Sequence, residues 1–511
     1  MQIVDNKALR LRLRDPSKVI DAIPKSRKVS DNEVIVNWGI SEAQSLNQLG
    51  IKSPSPIEAK YKWTGKYKPF EHQVATSSFL TIHQKGFCFN EQGTGKTASA
   101  IWASDFLMKQ GVVNRVLVVC PLSIMDSAWR GDLFTFATHR TVSVAHGSAD
   151  KRKKIIREGS DYVVINYDGI GIVLDELKKG GFDLIIVDEA THYKNVQTRR
   201  WKLLRQLVHD NTWLWMMTGT PAAQNPTDAY GLAKLVSPNR VPRFFGAFKD
   251  MVMFKVSQFT WKIRPTATDT VFRALQPAIR FTKDECLDLP PMIYVKRQVE
   301  LTAQQKKYYK ELKTKLVLDI TGEQITAINA AVTLNKLLQI SAGAIYTDDG
   351  GVLEFDINNR YKVLREVIDE SSQKVLVFVP FTHAIDILTD KLRSENITTE
   401  VIRGDVPAHR RTNIFKQFQE NVDPQVLVIQ PQAAAHGVTL TRANTVVWWG
   451  PTSSLETYDQ ANARVHRSGQ KHKCTVVQLQ GSDAERHVYR LLDKRINVHT
   501  KFVELYKEVL D

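Results

Sequence analysis

The chain predicts an α/β fold: two doubly wound parallel-sheet domains joined by a helical segment. Three observations lead there. Its 511 residues leave room for about three units at roughly 100–200 residues each. Short β-rich apolar runs alternate with longer helical stretches, which is the pattern of parallel sheets covered by helices. The runs also form two groups, separated by a stretch in which the apolar spacing turns helical.

Residues 1–69 form a basic accessory segment. Through residue 70 there are 13 Lys+Arg against 7 Asp+Glu. Ser53-Pro54-Ser55-Pro56 reads as a turn or linker, and Tyr61, Trp63 and Tyr67 stand among lysines just after it. Basic residues interleaved with aromatics suit phosphate pairing with base stacking, although packing of these rings onto the next domain is an equal reading. Residues 70–290 make the first α/β domain, with strands expected at Gly86–Asn90, Arg115–Leu122, Asp161–Tyr167, Phe182–Ala190 and Trp213–Thr220. Residues 291–370 read as a helical linker or insertion. Residues 371–483 make the second domain, with strands expected at Lys374–Phe381, Thr398–Arg403, Gln425–Gln430, Thr445–Trp449 and Cys474–Leu479. Residues 484–511 form an amphipathic helix closing it.

Composition narrows the function classes. At 43% hydrophobic and 24% charged residues, the chain is neither mostly disordered nor collagen-like. Lys+Arg 70 against Asp+Glu 54 gives +16, which favours a polyanionic partner, nucleic acid first. Cys88, Cys120, Cys286 and Cys474 are far apart, so neither a zinc site nor a disulfide framework is expected. No apolar run reaches the ~18 residues of a membrane span and no signal sequence is readable. A cytoplasmic protein without a membrane partner is the expectation.

Chemistry enters with Asn90-Glu91-Gln92-Gly93-Thr94-Gly95-Lys96-Thr97. A strand runs into it and a helix former follows, so backbone N–H groups and a helix N-terminus can cradle phosphates. Lys96 would reach the β- and γ-phosphates, and Thr97 would offer its hydroxyl to Mg²⁺. Asn90 stands where the strict pattern has Gly, and Asn tolerates the left-handed backbone region. Leu184-Ile-Ile-Val187-Asp188-Glu189 is an apolar strand ending in carboxylates, whose charge there demands a partner. Asp188 would hold Mg²⁺ and Glu189 would activate the attacking water. Thr218-Gly219-Thr220-Pro221 ends a third strand and would report phosphate state. Arg464 and Arg467, in Gln460-Ala-Asn-Ala-Arg464-Val-His-Arg467-Ser-Gly-Gln470, would share one face if helical, as arginine fingers do.

From about Pro69 to Arg495 these motifs, in this order, resemble superfamily 2 helicases, and within them the Snf-type DNA-dependent ATPases. The resemblance implies two RecA-like domains, ATP and Mg²⁺ as cofactors, and sequence-nonspecific DNA, duplex or branched, as partner. It implies that Gln73 reads adenine, that Gly93, Thr94, Gly95, Lys96, Thr97 and Gln460 line the nucleotide, and that Thr218 and Thr220 couple the two events. It also implies DNA contacts at Pro121, Ser123, Asn166, Tyr167, Phe381, Thr382, Arg403, Gly404, Thr439 and Thr441. Thr191 replaces the usual His of the acidic motif, and His436 and Thr439 replace common Gly and Asn further on. Such departures are similar to those of the compact phage or prokaryotic branch. Trp448 and Trp449 end a core strand, and burial of at least one is expected. The expected function is an ATP-dependent DNA translocase or helicase, with fork remodelling as one form of it. The alternatives are the motor subunit of a restriction or defence complex and a non-enzymatic DNA-binding module.

Overall fold

The computed structural model describes residues 1–219, 221, 225–256, 261–286, 288–320, 327–347, 351–433 and 438–494. It divides into two compact units, Met1–Cys286 and Leu287–Asp511.

The first unit opens with four strands, β1 (Gln2–Val4), β2 (Ala8–Arg12), β3 (Arg27–Ser30) and β4 (Glu33–Asn37), in the antiparallel order β1-β2-β4-β3. Alternation makes this sheet: Leu9, Leu11, Val34 and Val36 are buried with Val19, Trp38 and Leu46, while Arg10 and Arg12 face out. The basic segment is therefore a small sheet with a core of its own. The Ser53–Pro56 stretch is packed rather than a free linker, because Ser55 is buried with its hydroxyl 2.6 Å from that of Thr81. Packing also claims two of the three aromatics: Tyr61 donates to Asp105 Oδ2 (2.7 Å) and meets Trp63 and Phe106 edge to face. Trp63 does the same with Trp102, and Tyr67 alone stays exposed.

The main sheet of this unit contains β5 (Lys85–Cys88), β6 (Val116–Cys120), β7 (Val142–Val144), β8 (Tyr162–Asn166), β9 (Leu184–Asp188) and β10 (Trp213–Met217). A hairpin, β11 (Met253–Lys255) and β12 (Trp261–Ile263), stands apart, and β13 (Ala278–Ile279) returns to the edge. All neighbours are parallel in the order β13-β5-β10-β9-β6-β8-β7. Such strands are covered on both faces, hence their continuous apolar runs. Within β9, Ile185 and Val187 belong to one core with Leu204 and Leu232, and Leu184 and Ile186 to the other with Trp102 and Phe106. Each such side chain contributes about 1.5–3 kcal/mol on burial.

The second unit holds β14 (Met292–Gln298), a hairpin of β15 (Ala344–Tyr346) and β16 (Val352–Glu354), then β17 (Lys374–Phe378), β18 (Thr399–Ile402), β19 (Val426–Ile429), β20 (Ala443–Trp448) and β21 (Cys474–Gln480). Its sheet is parallel in the order β14-β21-β20-β17-β19-β18. Here too, alternate residues of β17 serve opposite cores, Leu376 and Phe378 on one face and Val375 and Val377 on the other. The 291–370 stretch is thus not wholly helical: it begins with an edge strand, whose partly exposed residues hid it among helical patterns. The helices Ala303–Ile320, Ala327–Ala342 and Asn358–Glu370 follow. Trp448 and Trp449 are both fully buried, donating to Asn462 and to the Ala342 carbonyl. The helix Asp483–Asp493 opens with a capping box of Ser482 and Glu485, and the rest of the expected terminal helix lies outside the described residues.

Candidate nucleotide and nucleic-acid site

Strand register builds the first half of the site. Met217 of β10 pairs with Cys88 of β5 on one side and with Asp188 of β9 on the other. Three strands therefore end flush, and at 4.7–4.9 Å per neighbour the outer two lie about 10 Å apart. The phosphate loop leaves β5, the acidic pair ends β9, and Thr218, fully buried, lies between them and donates its N–H to the Cys88 carbonyl (3.0 Å). Carboxyl edges of parallel strands are where such sheets bind ligands.

The loop turns on two glycines in the left-handed region, Gly93 (φ 87°) and Gly95 (φ 82°). Gly95 precedes the helix Lys96–Lys109, so the free N–H groups of that helix open toward the turn. The Lys96 ammonium folds onto the carbonyls of Asn90 (2.8 Å) and Glu91 (3.2 Å). Thr94 caps the turn by donating its hydroxyl to the Glu91 carbonyl (2.8 Å). Thr97 stands half-buried in the first helical turn. Asn90 is not left-handed, contrary to the reading of its sequence position: Gly is replaced for hydrogen bonding instead. Its amide donates to Thr76 (2.8 Å) and accepts from the Phe281 N–H (3.0 Å), tying the loop to the helix Glu71–Ile82 and to the segment after β13.

Gln73 lies against this loop. It donates to the Thr94 carbonyl (3.2 Å) and accepts from the Phe70 N–H (3.0 Å), and a Cβ on Gly95 would strike its amide. Its neighbour His72, which spacing did not single out, lies 2.8 Å from the same Thr94 carbonyl.

Asp188 is buried. Its Oδ2 accepts from the Trp129 indole N–H (2.9 Å) and its Oδ1 from the Glu189 N–H (3.0 Å). Burial pushes its carboxyl above the ordinary value, while Lys96 and the two donors pull the other way without prevailing. Each oxygen keeps a lone pair, so the donor set fits a hard cation together with a phosphate chain, and a divalent ion there would balance the buried charge. Glu189 adopts φ 48°, an unusual conformation for a non-glycine residue and one that clusters at functional sites. Trp129 comes from a π-helical turn, Met125–Arg130, and is fully buried. Nothing in the linear sequence signals its bond to Asp188, because the two residues meet only through the register of β6 and β9.

The residues implied for DNA divide. Ser123 is exposed and Pro121 buried at the end of β6, and Asn166 accepts from Arg152 (3.0 Å). The Tyr167 ring is a core side chain, and its hydroxyl donates to the Asp188 carbonyl (2.7 Å), so it faces the acidic motif rather than solvent. In the second unit Phe381 and Thr382 open the helix Thr382–Ser394. Arg403 is bound by Asp386 (2.5 Å) and Asp405 (3.0 Å), while Gly404 is exposed with its N–H on Gln430. Thr439 is exposed and Thr441 accepts from Gln419 (3.4 Å). Thr220 and His436 lie outside the described residues.

The arginine motif is not one helix. The helix Leu455–Asn462 stops first, so Arg464 and Arg467 lie in the following turns and do not share a helix face. Gln460 is buried and donates to Glu456 (3.2 Å). Arg464 is buried, and Arg467 donates to the Val438 carbonyl (3.0 Å). Gln470 organises the turn, donating to the carbonyls of Thr441, Ala443 and Val465. Among the described residues there is no cluster of three metal-ligating side chains and no helix long and apolar enough to cross a membrane.

An uncharacterised ATP-dependent helicase of Mycoplasma genitalium is 25% identical over 409 residues, covering 77% of this chain and 38% of the relative. Putative protein p41 of Acyrthosiphon pisum secondary endosymbiont phage 1 is 26% identical, covering 78% of this chain and 88% of the relative. The yeast ISWI chromatin-remodeling complex ATPase ISW1 is 24% identical, covering 81% and 38%. The chain thus spans well under half the length of the mycoplasma and yeast relatives. The SWI2/SNF2 ATPase core of Sulfolobus solfataricus, solved in complex with double-stranded DNA, aligns over 88% of this chain and 98% of that chain at 23% identity and a TM-score of 0.42. The SNF2-related domain model matches residues 34–343 and the helicase conserved C-terminal domain model matches residues 359–469, so the chain belongs to the SNF2-related family.

Proposed function

We propose that the chain is a DNA-dependent ATPase that converts ATP hydrolysis into movement along duplex DNA. The observation that carries this reading is the flush ending of β5, β10 and β9, which gathers Lys96, Thr218 and Asp188-Glu189 at one edge. The relatives named as ATP-dependent helicases and a chromatin-remodeling ATPase support it.

In this reading the N–H groups after Gly93 and Gly95 and the Lys96 ammonium bind the phosphates. Thr97 and Asp188 would hold Mg²⁺, which would screen the phosphate charge. Glu189 orients the attacking water and takes its proton. Gln73 selects adenine by exchanging its bonds to Thr94 and Phe70 for the base, and Gln460 is assigned to nucleotide binding. Arg464 and Arg467 of the second unit are assigned the charge that develops on the γ-phosphate. Strand-end loops at Pro121, Ser123, Asn166, Phe381, Thr382, Arg403, Gly404, Thr439 and Thr441 hold the DNA backbone, with residues 1–69 as an accessory contact. Alternating grip by the 70–290 and 371–483 domains moves the track.

The test compares ATP hydrolysis on single-stranded, duplex and forked DNA and on RNA, beside strand- and triplex-displacement assays. Duplex stimulation with triplex displacement and no unwinding is expected. Lys96→Ala and Glu189→Gln should each abolish hydrolysis, and near-wild-type turnover in both would refute the assignment. Arg464→Ala or Arg467→Ala should cut turnover more than DNA binding.

A further inference from the structure

We propose that Trp129 and Tyr167 are positioning residues that transmit DNA occupancy to the acidic pair, making DNA stimulation a property of two hydrogen bonds. The inference rests on the function proposed above and deepens it.

Two adjacent strands, β6 and β8, end at loops that carry Pro121–Ser123 and Asn166–Tyr167. Each loop sends one side chain inward, to the same turn. From the first, a short 3₁₀ turn (Leu122–Ile124) runs directly into the π-helical turn that carries Trp129, whose N–H holds the Asp188 carboxylate at 2.9 Å. From the second, the Tyr167 hydroxyl holds the Asp188 main-chain carbonyl at 2.7 Å and lies 3.4 Å from that of Glu189. One bond thus fixes the carboxylate and the other fixes the peptide that turns Glu189 into φ 48°. A left-handed non-glycine residue keeps that conformation only while its surroundings impose it. Both donors are buried side chains reaching the site from segments whose neighbouring residues, Ser123 and Leu122 on one and Asp168 on the other, are exposed.

The chemistry follows from placement alone. Asp188 needs its carboxylate oriented to share a cation with Thr97, and Glu189 needs its carboxylate aimed at a water. A shift of either loop would reach those groups through the Trp129 N–H and the Tyr167 hydroxyl. π-Helical turns recur at functional sites. DNA seated on the two loops would thereby set the geometry for hydrolysis, and its release would relax it. Tyr167 is then not a DNA contact itself but the link behind one.

Two variants remove the donors while keeping the rings, Trp129→Phe and Tyr167→Phe, with wild type and Lys96→Ala as references. Hydrolysis is measured with and without saturating duplex DNA, DNA affinity by anisotropy, folding by thermal melting, and Mg²⁺ dependence by binding of a fluorescent ATP analogue. Both variants are expected to melt cooperatively and bind DNA as wild type does, while the ratio of DNA-stimulated to basal turnover falls roughly tenfold. In Trp129→Phe the Mg²⁺ concentration for half-maximal analogue binding should also rise roughly tenfold. Wild-type stimulation ratios in both variants overturn the inference and leave the functional reading intact. Lost stimulation that merely tracks lost DNA affinity also overturns it, since the residues would then hold the track. A wild-type chain whose ATP hydrolysis ignores DNA overturns the functional reading and this inference together. If Trp129→Phe fails to fold, Tyr167→Phe decides the outcome by the same ratio.

Discussion

Gly95 shows how much one missing methyl group decides. Its backbone lies at φ 82°, and a Cβ there would enter the space of the Gln73 amide. For an L-residue the left-handed conformation costs roughly 1–2 kcal/mol before any clash. Gly95→Ala should therefore lower stability by about that amount and displace Gln73, and its nucleotide affinity should fall more than its melting temperature suggests. Fluorescent-nucleotide titration beside thermal melting checks this; unchanged affinity would show that Gln73 and the loop are not one unit. Asn90 carries a related lesson. The motif made it look like a substitute for glycine, but its backbone is ordinary and its amide joins two distant segments. That role was illegible because both partners, Thr76 and Phe281, are far from it in sequence and are brought near by the sheet.

At the scale of elements, the helix Lys96–Lys109 joins the glycine-rich turn at its start to a buried charge cluster near its end. Asp105 accepts from Tyr61 (2.7 Å), His139 (2.8 Å) and Arg140 (2.7 Å) and pairs with Lys109 (2.9 Å). Burial opposes its ionisation, but these four bonds outweigh it and hold the carboxyl below its ordinary 3.8. A depressed value means that the stability it supplies is complete above about pH 4 and is lost as pH falls through the folded value. Asp105→Asn should cost roughly 2 kcal/mol or more at neutral pH, and its melting deficit should stay constant down to about pH 4 and shrink only as pH is lowered further. A pH-independent deficit would mean that shape, not charge, was lost. In the second unit, Arg360 donates to Glu485 (2.8 Å) with both side chains buried, and Glu485 also caps the helix Asp483–Asp493. Arg360→Met would leave that carboxylate without its cation and should destabilise by about 3–5 kcal/mol; denaturant unfolding measures it.

Over the whole molecule the +16 charge is the property that bears on the proposed DNA track. Backbone contacts without base readout release counterions, so DNA affinity should fall on the order of a thousandfold between about 50 and 200 mM salt for roughly six phosphates. Anisotropy titrations across salt test it, and a shallow slope would assign the charge to solvated surface. Much of this architecture was legible because parallel strands covered on both faces tend to be continuously apolar, and β6, β10 and β19 are so throughout, with β9 apolar up to Asp188. The glycine-rich turn after β5 and the carboxylates that end β9 were legible in position for a similar reason: each needs only a strand, a turn and a few adjacent residues. What sequence left open depends on contacts between distant segments. The sheet in residues 1–37, the edge strand β14 and the packing of Tyr61 are decided by partners that no local pattern names. The same holds for the turn that replaced a helix at Arg464 and Arg467, and for Tyr167, whose ring points to Asp188 instead of outward. By itself the sequence determined which residues can do chemistry, since residue type and local spacing set reactivity; only the tertiary structure decided what each of them faces, because register across a sheet joins residues that the chain keeps far apart.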